Sequence, residues 1–149
     1  MNEAYVIREL RETDFPAALN IWEDSVKATH HFLPYGWVEE HRQIVLEKYF
    51  PMVSMFGLYD QQATLLGFSG VSDGNLEMLF IHPDFFGKGL GTLLLEHAVN
   101  VLGVERVDVN EQNQKALTFY LSQGFEIASR SEFDAQGNPF PLLHLKLKK

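Results

Sequence analysis

The sequence of 149 residues contains no cysteine, which excludes disulfide cross-links, thiolate metal sites and any nucleophilic thiol of the protein itself. Basic residues are scarce: twelve Lys and Arg stand against twenty Asp and Glu, a formal charge of −8. A chain this acidic is repelled at long range by phosphodiester backbones and anionic lipid, so generic nucleic-acid or membrane-surface binding is not expected. Long hydrophobic runs are missing too. Wholly apolar stretches last a few residues, far short of the roughly 20 that cross a bilayer. The opening MNEAYVIREL lacks the pattern of a secretory leader. A soluble cytoplasmic protein is therefore expected. With 46% hydrophobic and 21% charged residues, and no repeat, linker or low-complexity segment, residues 1–149 read as one globular domain.

What is present is a regular alternation of patterns. Tyr5 to Leu10 reads as a strand, and Thr13-Asp14 with Pro16 as the start of a helix that keeps Ala18, Ile21, Trp22, Ser25, Val26 and Thr29 in register. After the break at Pro34-Tyr35-Gly36, Val38, His41, Ile44, Val45, Lys48 and Tyr49 mark a second helix closed by Pro51. Three short strands follow, Met55–Tyr59, Thr64–Val71 and Leu76–Ile81, separated by turn residues and read as an antiparallel meander. Next come a helix carrying Leu90, Leu93, Leu94, His97 and Val101, a strand Val104–Val109, and a helix Asn113–Gln123 stopped by Gly124. Strands Phe125–Phe133 and Leu142–Leu147, joined by a long turn, complete the chain. The fold class is mixed α/β: about seven strands in a central, mostly antiparallel sheet with four helices, in the order β-α-α-β-β-β-α-β-α-β-β, with one β-α-β crossover in its centre.

The segment Phe86-Gly87-Lys88-Gly89-Leu90-Gly91-Thr92 joins a strand to a helix. Unpaired amides at a helix start, together with the positive end of its dipole, favour an anion there, and glycines let a phosphate approach the backbone. Lys88 adds a positive charge. No Gly-Lys-Ser/Thr follows a four-residue gap after a glycine, so this is not a Walker loop. A dinucleotide fingerprint would need glycine at position 92, where Thr92 stands. Asp108 sits where a ribose-binding acid would, yet an antiparallel meander precedes the turn, so nicotinamide binding ranks low.

Leu79-Phe80-Ile81-His82-Pro83-Asp84 followed by Gly87-Lys88-Gly89-Leu90-Gly91, and then Asn113, Ala116, Tyr120 and Gly124-Phe125, resemble two signatures of the GNAT family of acetyl-CoA-dependent N-acetyltransferases. The resemblance spans essentially the whole chain. Trp22, Ser25-Val26, Ala28-Thr29-His30, Phe32-Leu33, Val109 to Asn113 and Pro141-Leu142-Leu143 resemble the YjaB-type bacterial subgroup. One departure stands out, because family members usually carry Arg or Gln where this sequence has Phe86.

The resemblance implies direct acetyl transfer from acetyl-CoA to a primary amine within a ternary complex, without a metal. The missing protein thiol agrees with direct transfer. Leu79, Phe80 and Ile81 would pair with the pantetheine arm, and Gly87, Lys88, Gly89, Leu90, Gly91 and Thr92 would bind the phosphates. Asn113 would cap its helix while touching the arm, with Asn110 a weaker candidate. Tyr120 is the candidate general acid, since a neutral phenol can protonate a leaving thiolate; as a residue alone it reads first as a core aromatic beside Leu117 and Phe119, and the resemblance reverses that order. Glu77 is the candidate base, or else a solvent-facing acid. Trp22, His30 and Phe32 are candidate acceptor contacts, with His31 beside them, although each fits a core role. The acceptor is an amine of unresolved kind, small molecule or protein, and the acidic surface suits a cationic one. A non-catalytic acyl-CoA-binding regulatory module is the alternative. Monomer and homodimer both remain open. The charge of −8 does not exclude CoA, because salt screens charges beyond about 10 Å whereas a phosphate loop acts at hydrogen-bond distance.

Overall fold

The computed structural model describes residues 4–148, so the extreme ends of the domain expected over 1–149, and the first residues of the opening segment, lie outside the described residues. Strand β1 is Val6–Glu9 and helix α1 is Phe15–Thr29, entered through a 3-10 turn at Glu12–Asp14 with Pro16 in its first turn. Helix α2 is Trp37–Ile44. It continues as a wider π-type turn over Val45–Tyr49 and a 3-10 turn over Phe50–Met52, rather than running regularly to Pro51. The reason is local: Pro51 has no amide to give the Glu47 carbonyl, so the last turns must rewind.

Strands β2 (Ser54–Tyr59), β3 (Leu65–Ser72) and β4 (Asn75–Ile81) form the meander, helix α3 is Leu90–Asn100 and strand β5 is Arg106–Asn110. Helix α4 (Gln114–Ser122) and strands β6 (Phe125–Ser131) and β7 (Leu142–Leu147) end the chain. β5 starts two residues later than the sequence suggests, because the Val104 amide bonds the Ala98 carbonyl at the end of α3 and the Glu105 amide bonds Gly74. β6 stops at Ser131 because Asp134 captures the chain, its carboxylate accepting the amides of Gln136 and Asn138 at 2.9 and 2.8 Å.

The seven strands form one sheet in the order β1-β2-β3-β4-β5-β7-β6, antiparallel at every junction except β4–β5, which is parallel across the α3 crossover. The mixed sheet with four helices is thus the expected architecture. β3 is buried along nearly its whole length, since both faces of the sheet are covered there. On one face, Trp22, Val26, Val38, Val45 and Phe50 of α1, α2 and the turns after α2 pack on Met55, Phe68 and Phe80. On the other, α3 and α4 bring Leu90, Leu94, Leu95, Ala98 and Tyr120 against Leu66, Leu76, Leu79, Val107, Leu143 and Leu145. No helix among the described residues is long and apolar enough to cross a membrane.

One junction is incomplete. β4 stays paired with β3 as far as Gly67–Ile81, and β5 with β7 as far as Asn110–Leu142, yet β4 and β5 pair only at Asn75–Arg106 and Leu76–Val107. The β3–β4 register passes from Val71–Leu76 to Gly70–Met78, leaving Glu77 as the extra residue of a β-bulge at that point. A bulge bends its strand and increases its twist, and beyond it β4 and β5 diverge.

Gly67 keeps β4 in place beyond the bulge. A Cβ at this position would lie 2.8 Å from the Phe80 carbonyl oxygen and 2.5 Å from the Ile81 side chain. Gly67→Ala is therefore expected to destabilise the fold by roughly 1–3 kcal/mol, read as a lowered urea midpoint. An unchanged midpoint would show that β3 and β4 can separate freely.

Candidate active site

The divergence of β4 and β5 opens a cleft of about 460 Å³ whose walls come from β4, the β4–α3 loop, α4 and the end of α1. Open parallel junctions at the carboxyl ends of strands are where α/β sheets bind ligands. Leu79, Phe80 and Ile81 line it from β4, and Gly87, Gly89, Leu90, Gly91 and Thr92 from the loop and the first turn of α3. α4 contributes Ala116, Phe119 and Tyr120, with Asn113 and Lys115 at its start, and α1 contributes Ser25, Thr29 and His30.

The loop is fixed before it reaches the glycines. His82 Nδ1 accepts the Asp84 amide at 3.1 Å, so the ring proton sits on Nε2 and faces the Asp24 carboxylate of α1 at 3.3 Å. Gly87 and Gly89 both take positive φ, 77° and 78°, which any side chain would strain, although the space around them is open. Gly89 caps α3 without a side chain, leaving the first-turn amides of Leu90, Gly91 and Thr92 free of side-chain partners. The donor set fits a pyrophosphate: backbone N–H groups, a helix start and room for close approach. Phe86 lines the same wall and is substantially exposed.

Lys88 does not line the cleft. Its ammonium stands over the Phe85 ring, 5.6 Å from the centroid, held by the attraction of a cation for an aromatic face. Asn113 has the capping role expected of it, accepting the Ala116 amide at 3.2 Å while lining the cleft. Asn110 lies outside the lining and spends its side-chain oxygen on the Gln112 amide at 2.9 Å.

Tyr120 is buried among aromatic neighbours, with edge contacts to Phe119 at 5.1 Å and Phe125 at 6.0 Å. Burial raises its phenol above the ordinary tyrosine range, so it stays protonated across physiological pH. The ring thus serves the core and the cleft at once.

The candidate base, Glu77, and two candidate acceptor contacts, Trp22 and Phe32, lie outside the cleft lining. Glu77 projects from the bulge away from the α3 face and is exposed, outside the cleft lining. The sheet around its base still screens the carboxyl partly from water, and this desolvation raises its pKa; a hydrogen bond from Asn75 offsets part of that, and Asp108 of β5 adds to the rise. Trp22 is a core residue packed against Trp37 at 6.4 Å, which removes it from acceptor contact. Phe32 lies just beyond the cleft and joins two loops, its ring 5.4 Å from His30 and 5.9 Å from Phe140 in the β6–β7 turn. Gln136 of that turn also bonds the Tyr49 hydroxyl.

Sequence reasoning missed the partners of His30. Thr29 donates its hydroxyl to the Ser25 carbonyl at 2.8 Å and lies 2.7 Å from His30 Nδ1. The available signal was the four-residue spacing of Ser25 and Thr29, one turn apart on the same side of α1. It also missed a hydrogen-bonded row on the uncovered sheet face, Asp108–His144–Ser131, at 2.7 and 2.6 Å. Only strand register brings these three residues together.

With this geometry in view, the family follows. A family model described as Acetyltransferase (GNAT) domain matches residues 52–127, and the chain belongs to the GNAT acetyltransferase family. The particular likeness is to the peptidyl-lysine N-acetyltransferase YjaB of Salmonella typhimurium, 36% identical over 139 residues and covering 93% of this chain and 95% of that protein. The solution structure of apo-form YjaB from Escherichia coli superposes with a TM-score of 0.86 at 35% identity, covering 95% and 96% of the two chains. A PaiA N-acetyltransferase from Thermoplasma acidophilum, solved in complex with coenzyme A, shares the fold at a TM-score of 0.77 and 20% identity, over 99% of this chain and 100% of that one.

His30 gives a testable signature of the site. Burial, with repulsion from His31 added, lowers its pKa from the usual 6.5 to about 4. The unfolded chain therefore takes up a proton near pH 6.5 that the native protein refuses until about pH 4. Stability is full above that window and is lost as pH falls through it. Wild type should lose more urea resistance than His30→Gln between pH 7 and 4.5. Parallel curves would place His30 in solvent.

Proposed function

We propose that this protein transfers the acetyl group of acetyl-CoA to the ε-amine of a lysine in a protein or peptide, within a ternary complex. The observation that carries this reading is the convergence on one cleft of an uncapped, glycine-lined helix start, the free edge of β4 and the Tyr120 ring. The acceptor class is supported by the likeness to relatives named peptidyl-lysine N-acetyltransferases.

In this reading the amides of the Gly87–Thr92 segment hold the phosphates, with Lys88 adding charge from the side. Along the Leu79–Phe80–Ile81 segment, the backbone groups turned away from β3 receive the pantetheine amides, as an added strand would, and Asn113 contacts the arm. An N–H near Leu79 polarises the thioester carbonyl. Acetyl-CoA supplies an activated acyl group whose thiolate is a good leaving group. The amine forms its bond to carbon as the carbon–sulfur bond breaks. Tyr120 gives its proton to the departing sulfur, and the proton lost from the amine leaves by water toward Glu77, whose raised pKa makes it a better acceptor than an ordinary carboxylate. His30 contacts the acceptor, and Phe32, packed against the His30 ring just outside the cleft, borders the path by which the acceptor enters.

Thiol release with lysine peptides, set against polyamines, tests the activity. Turnover confined to polyamines would overturn the acceptor assignment, and acetyl-CoA binding without turnover on any amine would favour a regulatory module. Tyr120→Phe should lower kcat by about 10²- to 10⁴-fold with acetyl-CoA affinity nearly unchanged. Wild-type turnover in that variant would remove Tyr120 from proton transfer.

A further inference from the structure

The cleft joins two faces of the sheet. α4 with Tyr120 packs on one face, while α1 packs on the other through Trp22 and Val26. On the α1 side the cleft ends at Ser25, Thr29 and His30, and there the hydrogen bonds carry information beyond their distances. A threonine hydroxyl has one proton. The Ser25 carbonyl 2.8 Å away can only accept, so the proton lies on that bond. Thr29 Oγ1 then meets His30 Nδ1 at 2.7 Å as an acceptor, which requires the ring proton on Nδ1. A neutral imidazole protonated there has its lone pair on Nε2.

From this chain of bonds we propose that Ser25 and Thr29 lock His30 in the Nδ1–H tautomer, so that Nε2 accepts an N–H hydrogen bond from the acceptor amine and orients its lone pair toward the thioester. The inference rests on the acetyltransferase reading and adds a positioning pair to it. His30 is not the base in this arrangement. Its depressed pKa keeps it neutral at working pH, where it accepts a hydrogen bond without retaining the proton. Phe32 packs 5.4 Å from the ring and limits its rotation. The nitrogen partner of the acceptor is therefore set by a residue that stays uncharged, which avoids burying an imidazolium beside an incoming ammonium. Thr29 acts only through His30.

Nitrogen-detected NMR of histidine-labelled protein near neutral pH tests the lock without reference to activity. The expected result is a protonated Nδ1 and an unprotonated Nε2 for His30; the opposite tautomer, or an averaged pair, overturns it. Kinetics test the consequence. Thr29→Val, which keeps the shape and removes the hydroxyl, should average the tautomers and lower kcat/KM for the amine by roughly ten- to a hundredfold, while acetyl-CoA binding and melting temperature stay close to wild type. Thr29→Ser, which keeps the hydroxyl, should restore both the tautomer and most of the rate. Full activity in Thr29→Val, or failure of Thr29→Ser to rescue, removes Thr29 from the mechanism. Should Thr29→Val not fold, the wild-type tautomer and Thr29→Ser still decide the matter. A wild type with the expected tautomer that acetylates no amine would count against the enzymatic reading and, with it, the role given to Nε2, leaving the bond chain as packing alone.

Discussion

The structure depends on a parting of two strands. β4 and β5 share only two residue pairs before they diverge, and the bulge at Glu77 supplies the bend. Each strand keeps its other neighbour, β4 holding β3 and β5 holding β7, so the sheet opens without falling apart. Along the gap the facing backbone edges of β4 and β5 no longer pair with each other, and polar backbone of this kind calls for some other hydrogen-bond partner. The same bulge turns Glu77 out of the cleft and toward Asp108, so one extra residue both makes the opening and separates the carboxylate from it.

Around this opening the division of labour follows element type. Strand edges and helix starts offer backbone groups that do not depend on side-chain identity, so an acidic chain with Phe86 in its loop still presents N–H donors suited to an anion. Side chains dominate the rest of the cleft, where Tyr120 and His30 approach from elements on opposite faces of the sheet. In both residues burial disfavours the charged form, so the groups nearest the proposed reaction are neutral while the surface carries the net charge.

Much of this was legible in the sequence because it is written in local patterns. Periodicity marked α1, α3 and α4, and the glycine spacing at 87, 89 and 91 marked the loop whose two positive-φ residues the structure displays. What stayed hidden depends on distance along the chain. The bulge at Glu77 needs the register with β3, and the Asp108–His144–Ser131 row needs three strands side by side. Trp22 illustrates the opposite limit: its helical spacing fits core and pocket equally, and only the Trp37 contact decides for the core. Lys88, charged and adjacent to the glycines, reads from the sequence as a phosphate ligand, and its position over the Phe85 ring at the side of the loop is a side-chain placement that spacing alone does not carry.

The β6–β7 turn meets the rest of the protein on the α1–α2 side through Phe140 on Phe32 and Gln136 on Tyr49. Its strands pair up to Ser131–Leu142, independently of what lies between them. Such a turn can change in length and sequence over evolution while the sheet opening and the glycine loop remain as they are. Variation confined to about ten surface residues of this turn leaves the strand pairings and the cleft lining as they are, which makes it the natural place for members of one fold to differ at the surface.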